Sequence, residues 1–286
     1  MSTGLPIEKH IPILFETLEK QGANTPLDTP GVLSKELTAL VDKSKGAASV
    51  HITPKLTARF ATAATEIWQR GVHSFLISAS LTEASPIWAC VSGYYASHYS
   101  VRGLAHLLGF FQLRRRARIV SVEFVSGRHV CHIQHSTGTR REHKFYWKAV
   151  KDSARFVNDP FFTDNPEYDE DESDVAHRNI ANYLDHLNAF PKFQPLNEES
   201  LRKRLAVLSG MQLSSVPVPN KAKYPDINSV QLIAYHRIIK FRQLLDSTLG
   251  GANKFWNAQR NPPWCTRFLN FQVTEPKFIE AHGEQK

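Results

Sequence analysis

Hydrophobic positions along this chain recur with helical spacing at both ends and alternate in the middle. The longest helical run extends from Pro86 to Gly109, after a helix-starting Ser85-Pro86 pair. Ile87, Val91, Tyr94, Val101, Ala105 and Leu108 fall on one face, with Trp88, Tyr95, Tyr99, Arg102 and His106 beside it. Ala89, Gly93, Ala96, Ser100 and Gly103 form a third, small-residue face against which a neighbouring helix can come close. A helix apolar or small on three sides belongs at the centre of a bundle, and about 24 residues at roughly 1.5 Å each cross a domain.

The same logic places helices before and after it. Ile7 to Lys20 reads as a helix ended by Gly22, and a second opens at Thr29-Pro30 and stops near Gly46. Thr53-Pro54 opens a longer one with Leu56, Phe60, Ala63, Ile67 and Ser74 in a stripe and Gly71 as a break point. Asp174 caps a helix over Val175 to Ala189, stopped by Pro191, with Ile180, Tyr183, Leu184 and Leu187 apolar and Arg178, Asn182, Asp185 and His186 polar. Glu198 to Ser209 is closed by Gly210, and Pro217, Pro219 and Pro225 mark a connection. Ser229 to Leu249 places Val230, Ile233, Ile238, Phe241 and Leu245 inward before Gly250-Gly251. The tail is read as irregular, docking on the body through Phe255, Trp256, Trp264 and Phe268.

After Gly109 the period changes to two. Three strands are expected, Arg118 to Val125, Arg128 to His135 and Arg140 to Trp147, joined by Ser126-Gly127 and Thr137-Gly138-Thr139. Lys148 to Phe156 returns to helix, and the like charges of Asp164 to Asp174 predict a loop.

Charge sharpens this picture. The 286 residues carry a formal +8, yet seven acidic residues lie between Asp164 and Asp174, so the remainder carries +15. That balance suits a polyanion, most simply nucleic acid, although an ordinary basic protein has the same composition. Arg114, Arg115, Arg116, Arg118, Arg140, Arg141 and Lys144 make the meander the most basic region, with Phe124, Tyr146 and Trp147 interleaved for base stacking. A solvated face, or a patch that holds the acidic loop, is the alternative.

The three cysteines, Cys90, Cys131 and Cys265, show no paired spacing, and Glu8 and Lys9 interrupt any leader-like apolar run. A reducing, cytoplasmic setting follows as the expectation. Ala84 to Val101 is uncharged, but its serines, tyrosines and histidine predict a core helix rather than a membrane span.

Tyr94-Tyr95-Ala96 followed by Leu107-Leu108-Gly109 resembles the second-helix pattern of the HEPN superfamily. Arg178-Asn179-Ile180-Ala181-Asn182-Tyr183 resembles its later-helix pattern of Arg, often Asn, then Ala-Asx-Tyr. The matched helices cover a small part of the chain. The resemblance implies an up-and-down helical bundle that often dimerises. It also implies a frequent role as a metal-independent ribonuclease of prokaryotic toxin and antiviral systems, in which Arg and His from two protomers surround one scissile phosphate. Arg178 and Asn179 fit the start of that motif, while His186 follows Arg178 across a wider gap than the family pattern uses.

Positions eight apart lie about two turns along a helix and roughly 80° around it. Arg178 is placed to neutralise a phosphate, and His186 to move the 2′-hydroxyl or leaving-group proton. The alternative is an Arg178–Asp185 pair with His186 merely solvated. Arg102 and His106 form a second Arg–His pair, read as a polar contact inside the bundle. On the meander, His129, Cys131 and His135 share one side with His132 opposite and His143 on the next strand, a set with imidazole and thiol ligands but no common zinc spacing. Glu142-His143-Lys144 with Glu123 has the Glu-x-Lys part of a divalent-metal nuclease and lacks its Pro-Asp.

The sequence therefore predicts a mainly α protein: a HEPN-like up-and-down bundle (51–195) with a three-stranded β-meander inserted at about 114–148. An N-terminal helical extension (1–50) precedes it, and a C-terminal helical region with an aromatic tail (196–286) follows. The expected function is an RNA-directed component of a prokaryotic defence or toxin system. Arg178, Asn179 and His186 are its ribonuclease residues, with no metal or cofactor required. The alternative is a non-catalytic subunit that binds nucleic acid or dimerises, and third comes a divalent-metal nuclease using Glu123, Glu142 and Lys144.

Overall fold

The computed structural model describes residues 7–22, 30–113, 116–125, 128–136, 142–151, 198–211 and 227–260. Those residues form a mainly α protein of eight helices and one antiparallel sheet. In chain order they are α1 (Ile7–Lys20), α2 (Pro30–Lys43), β1 (Ser49–His51), α3 (Pro54–Ser80), α4 (Pro86–Leu107), β2 (Phe110–Leu113), β3 (Arg118–Val125) and β4 (Arg128–His135). Helices α5 (Glu142–Lys151), α6 (Glu198–Gly210), α7 (Ile227–Leu249) and α8 (Lys254–Gln259) follow. The expected helix over Val175 to Ala189, the acidic loop, Trp264 and Phe268 lie outside the described residues.

The chain divides into two compact units, each gathered from separate stretches: Met1–Trp68, Val101–Asp159 and Arg242–Arg260 in the first, and Gln69–Ser100, Pro160–Phe241 and Asn261–Lys286 in the second. Helices α3, α4 and α7 each contribute to both.

In the first unit α1 buries Ile7, Ile11, Leu14, Phe15 and Leu18 along one stripe. Its Phe15 meets Phe255 of α8 at 6.2 Å, and Glu19 accepts the Lys254 backbone N–H at 2.8 Å. Tail residues read as irregular thus form a short helix, started by Asn253, whose side chain accepts the Trp256 N–H at 2.8 Å.

The sheet runs β1-β4-β3-β2, all antiparallel. Two expectations need correction. The stretch expected as a third strand, Arg140 to Trp147, is helical from Glu142 onward, and the sheet gains two strands that were not expected, Phe110–Leu113 on β3 and Ser49–His51 on β4. The physical reason is burial: Phe145, Tyr146 and Trp147 are buried in succession and Val150 joins them one turn after Tyr146, which a helix satisfies and an alternating strand does not. The free edge of β4 is taken by β1. Leu113, Phe111, Val120, Val122, Cys131 and Ile133 share the inner face and are buried. Gly109 turns α4 into β2 with φ +84°, and a Cβ there would stand 2.6 Å from the Val122 carbonyl oxygen.

In the second unit α3 and α4 form an antiparallel hairpin, since Gly71 meets Ala96 and the Ser78 hydroxyl donates to the Ala89 carbonyl at 2.6 Å. Helix α3 runs through Gly71 without breaking, because the missing Cβ is where α4 approaches: an added one would sit 3.1 Å from the Ala96 carbonyl oxygen. Gly93 does the same for α7, with Val230 Cγ1 at 2.8 Å from such a Cβ. The small-residue face of α4 therefore receives two helices. Pairs Gly93 with Val230 and Ser97 with Arg237 show α7 parallel to α4; pairs Ser78 with Gln231 and Phe75 with Tyr235 show it antiparallel to α3.

Candidate nucleic-acid interface

The β3–β4 hairpin carries the basic residues singled out by composition. Arg118, the first residue of β3, stands opposite His135, the last of β4, and its guanidinium donates to His135 Nδ1. Arg116, in the turn before β3, is exposed and reaches Asp42 at the end of α2 at 2.8 Å. Arg128 opens β4 and is exposed at the other end of the hairpin. Arg114, Arg115, Arg140 and Arg141 lie outside the described residues, as do Arg178, Asn179 and His186. Lys144 lies in the first turn of α5, together with Glu142 and His143, so the strand-borne Glu-x-Lys arrangement expected with Glu123 is not formed.

Alternation along β3 and β4 sets the outer face. Ile119, Ser121 and Glu123 share it with Val130, His132 and Gln134, and β1 adds Ser49 and His51. The Ile133 N–H donates to Ala48 O at 2.8 Å, which makes Ser49 and His132 a close, non-hydrogen-bonded pair. His132 Nε2 lies 3.4 Å from Glu123 Oε2, with side-chain exposures of 35% and 12%. Glu123 is the one carboxylate in the four strands, against Arg118, Arg128 and four histidines, His51, His129, His132 and His135.

The inner face separates the residues read as soft metal ligands. His129, Cys131 and His135 do share a side, but Cys131 is buried opposite Val122 and burial pushes its thiol up to about 12, so it is no thiolate. Burial also lowers the His129 imidazole. Among the described residues no three His, Cys, Asp or Glu side chains are grouped to hold a metal ion.

In the second Arg–His pair, His106 is closed to substrate, while Arg102 is half-buried. His106 is wholly buried; its Nδ1 donates to Phe110 O at 2.9 Å, its ring stacks on Phe111 at 5.1 Å, and Tyr146 meets it edge-on at 5.3 Å. Arg102 lies over the Tyr146 ring at 5.1 Å. Desolvation, then the Arg102 charge, lowers the imidazole to about 3, against the raising effect of the Phe110 bond. It stays neutral and holds the end of α4 to β2. Since the folded value lies below the ordinary 6.5, the unfolded chain takes up the proton first, and stability present above pH 6.5 is lost as pH falls toward 3. The expected contribution is a loss of about 2 kcal/mol between pH 7 and pH 5. Urea titrations should show it, and His106→Phe should flatten it; equal losses in both proteins would assign it to other groups.

Two features escaped sequence reasoning. Strand β1 is three residues long, too short for a period, so His51 had no visible link to the hairpin. Arg128 stands ten residues beyond the arginine run at 114–118, so charge clustering alone does not single it out. Among the described residues no helix is long and apolar enough to cross a membrane. Compared with protein-family models, curated proteins and solved structures, the chain finds no match.

Proposed function

We propose that this chain binds RNA through the β3–β4 hairpin, as a component of a prokaryotic defence or toxin system with a HEPN-like bundle, acting as a homodimer or as one subunit of a larger complex. The observation that carries the reading is the hairpin's charge: Arg128, His51 and His132 lie on the outer face, Arg118 and the exposed His135 lie at the far end on the other side, and the single carboxylate of the four strands, Glu123, is turned toward His132. Such a charge attracts phosphates and releases counterions, so binding weakens steeply with salt. Binding is favoured over cleavage because the imidazole of the Arg102–His106 pair is wholly buried and neutral. Ribonuclease chemistry rests on Arg178 and His186 alone.

The test is fluorescence anisotropy with single-stranded RNA between about 50 and 200 mM salt, where a few phosphate contacts change affinity by orders of magnitude. Arg118→Ala with Arg128→Ala is expected to weaken binding about tenfold across unrelated sequences and to lower the salt slope by about one per lost contact. Affinity indifferent both to salt and to the double substitution refutes the reading. The same RNA in excess EDTA reports cleavage; cutting that both Arg178→Ala and His186→Ala abolish adds the ribonuclease role.

A further inference from the structure

We infer that the recess between the end of α1 and the start of α3 is a phosphate-monoester site, taking the terminal phosphate and sugar of a nucleotide. Its walls are Leu18 of α1, Gln21 directly after that helix, and Lys55, Ala58, Arg59 and Thr62 from the first turns of α3; its volume is about 230 Å³. The lining holds two cations and an amide and no carboxylate.

Each wall has a separate task. Lys55 and Arg59 are one helical turn apart, so both charges come from one side. Glu36 stands 3.5 Å from Arg59 Nε and steadies the guanidinium from α2, outside the lining. Among the described residues no carboxylate pairs with Lys55, which is exposed. Even with Glu36 beside Arg59 the three groups leave a net charge of +1, which draws a dianionic monoester more strongly than a carboxylate or an internal phosphodiester, each with a single negative charge. Leu18 and Ala58 line the recess while almost wholly buried, and the exposed Gln21 amide offers a donor and an acceptor to the sugar hydroxyls. The volume lies below the roughly 300 Å³ at which drug-sized sites begin, so the recess holds the end of a nucleotide and not a whole dinucleotide cofactor. The phosphate comes from a free nucleotide or from the 5′ end of an RNA strand, and only the second source rests on the RNA-binding reading above.

The experiment uses the full chain and four probes: adenosine 5′-monophosphate, adenosine, and one RNA dodecamer with a 5′-phosphate or a 5′-hydroxyl. Calorimetry is expected to show the phosphate form of at least one pair held about tenfold or more tighter, and Lys55→Gln to remove that preference while the thermal midpoint stays unchanged. Arg59→Lys keeps the charge and a partner for Glu36, so it should keep part of the preference, which controls for folding. A preference for the nucleotide with neither RNA bound leaves the site standing and removes the RNA reading. Salt-sensitive RNA binding with no preference within either pair removes the site and leaves the RNA reading. A preference that Lys55→Gln leaves intact also overturns the assignment, because the phosphate is then held elsewhere.

Discussion

Replacing Gln231 by leucine is expected to lower the unfolding free energy by about 3 kcal/mol, read as a shift in the urea midpoint at unchanged slope. Gln231 lies on α7, is fully buried, and joins three helices of the second unit. Its amide nitrogen donates to Ser78 O at 2.9 Å, Ser78 Oγ at 3.0 Å and Thr82 Oγ1 at 2.9 Å, all at the end of α3. Its carbonyl oxygen accepts from Arg204 Nε of α6 at 2.6 Å, and that arginine also reaches Asn228 at 2.6 Å. Leucine fills a similar volume but strips an acceptor from a guanidinium and a donor from a buried helix end, and stranded charged groups dominate such losses. The value exceeds what an exposed substitution costs, usually within about 0.5 kcal/mol. A loss below about 1 kcal/mol would mean that water or repacking meets the network's needs.

The larger effect is expected at Trp256, where substitution by alanine should cost about 4 kcal/mol. Trp256 is fully buried on α8, its ring 5.3 Å from Trp68 of α3, and its Nε1–H donates to Asp246 Oδ1 at 2.6 Å. Asp246 is the carboxylate for two arginines as well: Arg242 Nε at 3.2 Å and Arg260 at 3.6 Å. Arg242 is 3% exposed, so its charge depends on that carboxylate being held in place. Trp256→Phe keeps a six-membered aromatic ring toward Trp68 and loses the indole N–H with the fused five-membered ring, so it should cost less, about 2 kcal/mol. Thermal or urea unfolding of the two variants side by side checks this. Equal losses would place the energy in the five-membered ring and its hydrogen bond to Asp246 and not in the six-membered ring toward Trp68.

Neither network was visible in the sequence, and the reason is distance along the chain. Gln231 and Ser78 are 153 residues apart, and no local pattern links an amide to a remote helix end. The basic residues illustrate the same limit. Arg116 and Arg118 stood out as part of an arginine run, but their partners, Asp42 and His135, lie 74 and 17 residues away and are chosen by the fold. The Lys55–Arg59 recess was silent as well, because one wall comes from α1 and the other from α3.

What the sequence alone determined is the set of long helices and the alternating hairpin. Pro at the start and Gly after the end mark α2 and α4, and five of the helices read with these signals have close to their observed bounds, because caps and φ preferences act within a turn, while α3 starts at Pro54 as read but runs on through Gly71 to Ser80. Strands β3 and β4 were equally legible, since alternation over eight residues is local. The small face of α4 was also readable as a place of close approach, though which helices would fill it was not. The tertiary structure decided the fate of Phe145-Tyr146-Trp147: the Tyr146 hydroxyl accepts the Gln112 N–H at 3.4 Å and its ring meets His106, contacts that favour a helix over β2 rather than a third strand. It likewise recruited Ser49–His51 to the sheet, because three residues carry too little pattern to specify a strand and only the unpaired edge of β4 supplies their partners.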